Sequence, residues 1–242
     1  MKIPTIIHQI WIQGAPAVPG LYRQNANTWR KKNPGWEYRL WDECALLALM
    51  REKAPEWLPI YNSQPEVIAR ADVGRYVVLQ RYGGVYADID TRCVRPVINM
   101  LARSEASLYV QLYSLPWGCR RPRCVRYDKI ANSVISCAPR HPIWRSVRFS
   151  IAWRSRNRSL PLTVRTGPEM FWPIVRRFME RNPADVEILD HRRILTAFYL
   201  PRAYMYWYGL TRRGVCVLDF NDSGRRAFQA RDNELELMPF SS

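Results

Sequence analysis

The sequence predicts a single α/β domain, and three observations support this prediction. Segments typical of strands and helices alternate through residues 3–90, which is the pattern of an α/β fold. Hydrophobic residues make up 48% of the 242-residue chain, enough for a substantial buried core. Neither an internal repeat nor a shift in composition divides the chain. We therefore expect one domain over residues 1–242, with a mixed sheet flanked by helices.

Local signals place the elements of the amino-terminal part. Asp42 can cap a helix, and Pro65 suits the first turn of another that Gly83 and Gly84 would end. β-branched and alternating residues indicate strands, and breakers such as Asn33-Pro34-Gly35 separate them from helices. The predicted strands are 3–12, 36–41 and 85–90, and the predicted helices are 21–32, 42–53 and 65–82.

The carboxyl-terminal part consists of shorter segments. His141-Pro142 and Thr166-Gly167-Pro168 each open a predicted helix, the first running to 154 and the second to about 182. Residues 115–127 lack periodicity and are expected to form a loop. Strands are expected at 107–113 and 132–138, and short strands or loops at 186–189, 194–200, 205–208 and 215–220.

The charge balance is strongly basic. Lysine and arginine total 37 against 21 acidic residues, a formal net charge of +16. This excess fits an anionic partner such as a phosphate-bearing substrate, an acidic membrane surface or nucleic acid, or else a merely solvated arginine-rich surface.

No stretch is apolar enough for a membrane span, and no signal peptide is evident, so we expect a cytoplasmic protein or one peripheral to a membrane. The six cysteines indicate reduced thiols, although Cys119 and Cys124 could close a loop.

Asp88 and Asp90 form the most informative motif. On a strand, residues two apart point to one face, and two neighbouring carboxylates repel unless a cation lies between them. Hard divalent cations such as Mg²⁺ bind one or two carboxylates and leave positions open for substrate phosphates. Ligands of open α/β sheets also bind at the carboxyl ends of strands. The pair thus predicts a metal site, against the simpler alternative of a strand end that enters solvent.

Asp72 and Arg75 lie three residues apart on the helix before this strand and share a face. They form either a surface ion pair worth about 0.2–0.5 kcal/mol or a pair that points into a binding pocket.

Residues 69–90 resemble the DXD sugar-binding region of glycosyltransferase family 32. That family includes α-1,6-mannosyltransferases, inositol-phosphoceramide mannosyltransferases and α-1,4-N-acetylglucosaminyltransferases, and more distantly the clostridial glucosylating toxins. The resemblance rests on Asp72, Arg75, Gly83-Gly84, Tyr86 and the Asp88/Asp90 pair, with Ala71 where serine is usual. It extends over about residues 3–170, through Ile3 to Trp11, Asn33 to Asp42, Asn132, His141-Pro142 and Thr166-Gly167-Pro168.

The resemblance implies a GT-A fold with a Rossmann-like sheet, in which residues 1–110 bind the nucleotide-sugar and 111–242 form the acceptor side. It implies a metal-dependent, retaining transfer of a hexosyl group from a UDP- or GDP-linked sugar to a glycan, glycolipid or protein. Mn²⁺ or Mg²⁺ would be held by Asp88 and Asp90, which with Arg75 are the expected catalytic residues. The expected donor-binding residues are Trp11, Asp72, Arg75, Tyr86, Asn132 and Gly167. A late metal ligand is not evident, and Asp219, Asn221 and Asp222 are candidates for it.

Two other classes of protein also fit parts of the sequence. Asp88-Ile-Asp90-Thr91 also fits the motif of haloacid-dehalogenase-like phosphatases, in which the first aspartate is a nucleophile. That fold normally carries the pair on its first strand, and Lys129 alone represents lysine after Asp90. The basic charge would also suit a nucleic-acid-binding protein, but no known nucleic-acid module is present, so no specific nucleic-acid partner is expected.

Overall fold

A mixed six-stranded sheet forms the centre of the computed structural model, which describes residues 3–101, 105–112, 130–190, 192–196 and 215–219. The strands are β1 (Ile6–Ile10), β2 (Glu37–Trp41), β3 (Gly84–Ala87), β4 (Thr91–Cys93), β5 (Leu108–Leu112), β6 (Ile130–Cys137), β7 (Val186–Leu189), β8 (Ile194–Thr196) and β9 (Val217–Asp219). The helices are α1 (Gly20–Lys32), α2 (Glu43–Lys53), α3 (Leu58–Asn62), α4 (Val67–Tyr82), α5 (Ile98–Leu101), α6 (Ile143–Arg154), α7 (Leu162–Arg165) and α8 (Pro168–Arg181).

The order of the strands in the central sheet is β2-β1-β3-β6-β5-β7. β1 runs parallel to both of its neighbours, β2 and β3, whereas β6 is antiparallel to β3 and β5. β4, β9 and β8 form a separate three-stranded sheet. The prediction of a single α/β domain with a mixed sheet flanked by helices is confirmed.

Each face of the central sheet is covered by its own hydrophobic core. One face packs against α2, α4, α6 and α8 through side chains such as Leu46, Val77, Trp144 and Phe171. The other face packs against α1 through Trp29, together with Val85 and Val217. Successive residues of a strand point to opposite faces, so both cores draw on β1 and β3.

Most predicted elements of the amino-terminal part are present with shifted ends. Asp42 caps α2 as expected, accepting a hydrogen bond from the Ala45 amide at 2.8 Å. The helix expected from Pro65 begins only at Val67, after an extended Glu66. The expected strand over 85–90 is wrong at its end, because β3 stops at Ala87. The irregular stretch expected between Pro55 and Pro59 forms a short 3-10 turn and the start of α3.

Two short elements differ from the prediction, and several other predictions concern residues that the structure does not describe. The strand β4 and the helix α5 were not expected from the sequence pattern. The predicted loop over 115–127, Cys119 and Cys124, the segment 205–208 and the candidates Asn221 and Asp222 fall outside the described residues. Within the described ranges, none of the helices combines the length and the apolar character needed to cross a bilayer.

Gly83 and Gly84 make the close return from α4 into the sheet possible. Both have a positive φ, 64° and 86°, which is costly for residues with a side chain. A Cβ on Gly84 would lie 2.5 Å from the carbonyl oxygen of Ile6, and one on Gly83 would lie 2.6 Å from the backbone nitrogen of Pro139. The two glycines therefore allow β3 to lie tightly beside β1, which fixes the position of the residues that follow β3.

His8 on β1 is a fully buried polar side chain that contacts both Gly83, at the end of α4, and Trp41 of β2. Its Nδ1 accepts a hydrogen bond from the Trp41 indole at 3.1 Å, and its Nε2 lies 3.0 Å from the Gly83 carbonyl oxygen. These contacts require a neutral ring with the proton on Nε2. Burial lowers the pKa of His8 to about 4, from an ordinary value of 6.5.

Because the His8 imidazole is buried in its neutral form, we expect the free energy of unfolding to be lower in mild acid than at neutral pH. The unfolded chain takes up a proton at His8 near pH 6.5 and the folded chain only near pH 4. Between these values the unfolded state binds more protons, so the free energy of unfolding falls as the pH falls. With about 1.4 kcal/mol per pKa unit, the loss is expected to reach about 3 kcal/mol at most. Urea unfolding at several pH values between 7 and 4 measures it.

The variant His8→Gln is the control for this effect, because an amide can donate to Gly83 without titrating. We expect its stability to depend less on pH than that of the wild type. His141 also has a pKa lowered by burial, but it is present in both proteins, so the difference between the two slopes belongs to His8. Equal slopes in the two proteins would contradict the assignment.

Candidate functional site

The candidate site lies where the parallel strands β1 and β3 end. Trp11 follows β1, and Asp88 follows β3. Because these strands are adjacent and parallel, their carboxyl ends meet at one edge of the sheet, where open α/β sheets bind ligands. The sequence-predicted motifs around Trp11 and Asp88 therefore come together in space.

Asp88, Ile89 and Asp90 form a turn rather than an extension of β3. The Asp88 amide donates to the Ser133 carbonyl at 2.8 Å, and the Asp88 carbonyl accepts from the Thr91 amide at 3.0 Å. The same carbonyl accepts from the Gln9 side chain at 3.1 Å. The expectation that β3 continues through Asp90 is thus wrong: β3 ends at Ala87, and the Asp88 amide makes a last hydrogen bond to β6 before the chain turns.

The carboxylate of Asp88 is held by two neighbours. The Tyr86 hydroxyl donates to Asp88 Oδ1 at 2.6 Å, and Arg75 Nη1 lies 3.2 Å from the same oxygen. The Arg75 guanidinium also stacks over the Tyr86 ring, 4.8 Å from its centroid. The Asp88 side chain remains 30% exposed, so part of it faces outward from this support.

Asp72 and Arg75 form a buried ion pair. Each residue is only 5% exposed, and the Asp72 Oδ1 to Arg75 Nη2 distance is 3.0 Å. Asp72 also accepts from the Asn132 amide at 3.0 Å and from the Thr166 hydroxyl at 2.7 Å. Of the two alternatives raised for this pair, the surface ion pair is wrong. Arg75 completes the arrangement by donating to the Asn132 carbonyl at 2.6 Å.

Burial and neighbouring charges act in opposite directions on these groups. Burial raises the pKa of Asp72, while the Arg75 charge and the Thr166 hydrogen bond oppose it. Burial disfavours the charged form of Arg75, but Asp88, Tyr86 and Asp72 outweigh it and raise the pKa of Arg75. Burial also raises the pKa of Tyr86 well above its ordinary value, so its hydroxyl is a donor at neutral pH. The cluster thus contains a permanent cation that joins two carboxylates.

Several supporting residues could not be identified from the sequence. The Tyr76 hydroxyl donates to the Thr166 carbonyl at 2.9 Å and accepts from the Asn132 side chain at 3.1 Å. The sequence places Thr166 at the start of a helix and in a segment that resembles the family, but not beside Asp72, which it binds from 94 residues away. Tyr76 is fully buried on α4, and no motif in the sequence marks it as part of this polar cluster.

Helix α1 supports the turn from the other side of the sheet. The Trp29 indole donates to the Thr91 carbonyl at 3.2 Å, and the Asn25 amide donates to the Asp90 carbonyl at 3.4 Å. The Thr28 hydroxyl accepts from the Cys93 amide at 3.0 Å. Hydrogen bonds thus hold the backbone from Asp90 to Cys93 to one face of this helix.

The remaining predicted donor-binding residues occupy different positions. Trp11 is partly exposed and meets the Tyr22 ring edge-on, with 5.8 Å between centroids. Among the described atoms its indole Nε1 is buried without a hydrogen-bond partner. Asn132 belongs to the Asp72 cluster. Gly167 precedes α8, and a Cβ there would lie 2.9 Å from the Thr163 Cα, so the close packing between α7 and the start of α8 requires glycine.

The oxygen atoms of Asp88 and Asp90 suit a hard divalent cation. Both side chains are partly exposed and follow one another in the same turn, and Mg²⁺ or Mn²⁺ commonly binds through one or two carboxylates. In the described part of the chain no group of three or more histidine, cysteine or acidic side chains could enclose a metal ion. Asp219 pairs with Thr91 in the second sheet, next to Asp90, but its carboxylate is buried and accepts from Gln111 at 2.7 Å.

Comparisons with known proteins bear on this arrangement. Residues 19–108 match the family described as "Glycosyltransferase sugar-binding region containing DXD motif". A glycosyltransferase of the Acanthamoeba polyphaga mimivirus is 27% identical over 192 residues, covering 78% of this chain and 72% of that one. Inositol phosphoceramide mannosyltransferase 2 of Schizosaccharomyces pombe is 29% identical over 199 residues, covering 80% and 52%. The chain therefore spans about half the length of this fungal relative.

Solved structures show the same fold. The glycosyltransferase PaToxG matches with a TM-score of 0.55 at 16% identity, covering 74% of this chain and 70% of that one. The UDP-bound glycosyltransferase domain of the YGT toxin matches with a TM-score of 0.54 at 10% identity, covering 77% and 79%. The predicted GT-A fold and the predicted resemblance to family 32 are confirmed.

Proposed function

We propose, since the chain carries a family 32-like glycosyltransferase domain, that it moves a hexosyl group from a UDP- or GDP-linked sugar to a glycan, glycolipid or protein acceptor, with retention of configuration. The observation that carries this proposal is the Asp72–Arg75–Asp88 network, which ends in the turn after β3, at the edge of the sheet where β1 also ends. A buried ion pair of this kind adds little net stability, so its position at a ligand-binding edge favours a functional role.

The cation proposed for this site is Mn²⁺ or Mg²⁺, held by Asp88 and Asp90. When bound, it would neutralise the charge of the departing diphosphate. Tyr86 and Arg75 fix one of the two carboxylates, so Asp88 is oriented before any ligand arrives. Asp219 is a candidate for a further ligand only if it gives up its hydrogen bond to Gln111.

The protein side chains have separate proposed tasks toward the donor. Trp11, partly exposed at the end of β1, would stack against the nucleotide base. Arg75 would supply positive charge near the diphosphate without titrating. The donor sugar would be bound by the cluster that contains Asp72, Asn132 and Gly167. These residues would contact the sugar themselves or would position Arg75 to do so.

The names of the relatives suggest the classes of donor and acceptor. One similar domain binds UDP and one relative is a mannosyltransferase of inositol phosphoceramide, so both UDP- and GDP-linked sugars are candidates. A phosphorylated lipid acceptor would also suit a chain with a net charge of +16. We further propose peripheral contact with an anionic membrane, since acidic lipid attracts basic protein surfaces.

A donor panel tests the proposed reaction. UDP-glucose, UDP-N-acetylglucosamine, UDP-galactose and GDP-mannose are each incubated with the protein in Mn²⁺, in Mg²⁺ or in chelator, and nucleotide release is measured. We expect release from at least one donor, and we expect chelator to abolish it. Release of phosphate from a simple phosphoester instead would favour the phosphatase alternative. No release from any donor with either metal would contradict the proposal.

A further inference from the structure

Helix α6 presents two large aromatic side chains to solvent. Phe149 is 57% exposed and Trp153 is 69% exposed. They lie four residues apart, and Arg145 lies a further four residues before Phe149, so the three side chains line one side of the helix. Isolated exposed apolar residues are common, but two adjacent aromatic rings on one helix face form a patch that indicates a partner.

The opposite side of α6 accounts for its packing in the domain. Ile143, Trp144, Val147 and Ile151 are fully buried in the core beneath the sheet. The helix therefore has its hydrophobic contacts without Phe149 and Trp153, and neither of these rings contributes to that core.

The stretch of chain that carries these aromatic rings has charged residues of one sign only. Residues 140–168 contain seven arginines and neither aspartate nor glutamate. The guanidinium groups of Arg148 and Arg145 lie over the Phe149 ring, 5.1 and 5.9 Å from its centroid. Arg156 is exposed just beyond the end of the helix, whereas Arg165 is buried and paired with Glu66. The chain that carries the exposed rings is therefore strongly basic, and two of its arginines contact the Phe149 ring directly.

We propose that this α6 surface, formed by Arg145, Arg148, Phe149, Trp153 and Arg156, docks on an anionic lipid bilayer. Tryptophan and phenylalanine insert at the boundary between headgroups and acyl chains, and arginine attracts acidic headgroups. Both features occur on one helix face, which matches a planar interface with an apolar layer beneath a negative one. The inference locates the proposed peripheral membrane contact and is independent of the sugar-transfer reaction.

The α6 surface lies in the part of the chain that also reaches the Asp72 cluster. Arg154, at the end of α6, donates to the Val164 carbonyl of α7 at 3.3 Å. Thr166, which follows α7, binds Asp72. The docking helix and the candidate site therefore belong to one connected set of contacts.

Co-sedimentation of the full chain with vesicles tests the docking. Vesicles of phosphatidylcholine alone are compared with vesicles that also contain phosphatidylserine, at low and high salt. We expect binding to the anionic vesicles only, with loss of binding as salt rises. The double variant Phe149→Ser/Trp153→Ser is expected to bind at least about tenfold more weakly. Arg145→Gln/Arg148→Gln is expected to lose about fivefold per arginine.

Matched variants separate docking from general charge and from folding. Lys31→Gln/Lys32→Gln removes the same charge from the end of α1, on the other face of the sheet, and is expected to bind almost as well as the wild type. Trp153→Phe should retain most of the binding, because it keeps a large ring at the interface. Circular dichroism without lipid shows whether each variant is folded. Nucleotide-sugar hydrolysis is measured separately, and its failure in the wild type and the variants alike bears only on the proposed reaction.

Several outcomes would overturn the proposal. Equal binding to neutral and anionic vesicles, or the absence of binding to either, would exclude docking on anionic lipid. Wild-type binding by the Phe149/Trp153 variant would exclude the α6 surface. A single-stranded oligonucleotide that binds through these residues, without vesicle binding, would assign the surface to nucleic acid. Dimerisation that the same variant abolishes, again without vesicle binding, would assign it to a second copy of the chain.

Discussion

Replacing Asp90 by asparagine is expected to lower the turnover of the nucleotide-sugar at least about 100-fold while the protein stays folded. The side chain is partly exposed in the turn after β3, and Asn25 donates a hydrogen bond to the Asp90 backbone carbonyl. Asparagine has the same size as aspartate and keeps this backbone hydrogen bond, so we expect the loss of charge to weaken the cation site more than the fold. Nucleotide release over a range of Mn²⁺ concentrations, together with thermal unfolding, measures both effects.

Asp88→Asn provides an informative comparison for this prediction. Asp88 contacts Tyr86 and Arg75, so its replacement should lower both turnover and stability. Glu52→Gln, an exposed carboxyl group on α2, is the matched control and should change neither. Full activity of Asp90→Asn with an unchanged Mn²⁺ requirement would contradict the role assigned to Asp90.

Replacing Arg75 by methionine is expected to lower the free energy of unfolding by about 3–5 kcal/mol. The substitution removes the cation but leaves the Asp72 carboxylate buried, and an unpaired buried charge is costly. It also removes the donor to the Asn132 carbonyl. Nucleotide-sugar turnover should fall with it, because Asp88 loses one of its two supports. Urea unfolding measures the change in stability.

An exposed ion pair in the same protein is the control for this prediction. Arg176 and Glu180 lie 3.8 Å apart on α8 with both side chains more than 60% exposed. Arg176→Met is therefore expected to change stability by no more than about 0.5 kcal/mol. The double variant Asp72→Asn/Arg75→Met should be more stable than the sum of the single changes implies, since the unpaired charge is gone. Strict additivity would mean that the pair is not coupled.

The sequence predicts those parts of the fold that depend on local signals. Asp42 marks the start of α2, and the two glycines mark the return from α4 to β3, because capping and positive φ depend on the residue itself. The spacing of Asp72 and Arg75 correctly places both on one face of a helix. Each of these features is determined within a few residues of chain.

The sequence is less informative where distant contacts decide the structure. The alternation of Asp88, Ile89 and Asp90 resembles a strand, but the chain turns there, with the Thr91 amide donating to the Asp88 carbonyl and the Gln9 side chain donating to the same oxygen. Thr166 and Asn132 meet Asp72 across 94 and 60 residues, a separation for which the local pattern gives no signal. These distant partners bury the ion pair. The choice between a surface ion pair and a pair in a pocket could therefore be made for Asp72 and Arg75 only from the three-dimensional structure.

The three donors to Asp72 come from distant parts of the chain, which limits where the chain can be cut. Arg75 comes from the same helix, but Asn132 and Thr166 come from β6 and from the junction of α7 and α8. A fragment cut between β5 and β6 would keep the buried carboxylate and lose two of the groups that satisfy it. Grafting a foreign carboxyl-terminal half onto this amino-terminal half would therefore succeed only if the graft supplied an amide and a hydroxyl at the same two points.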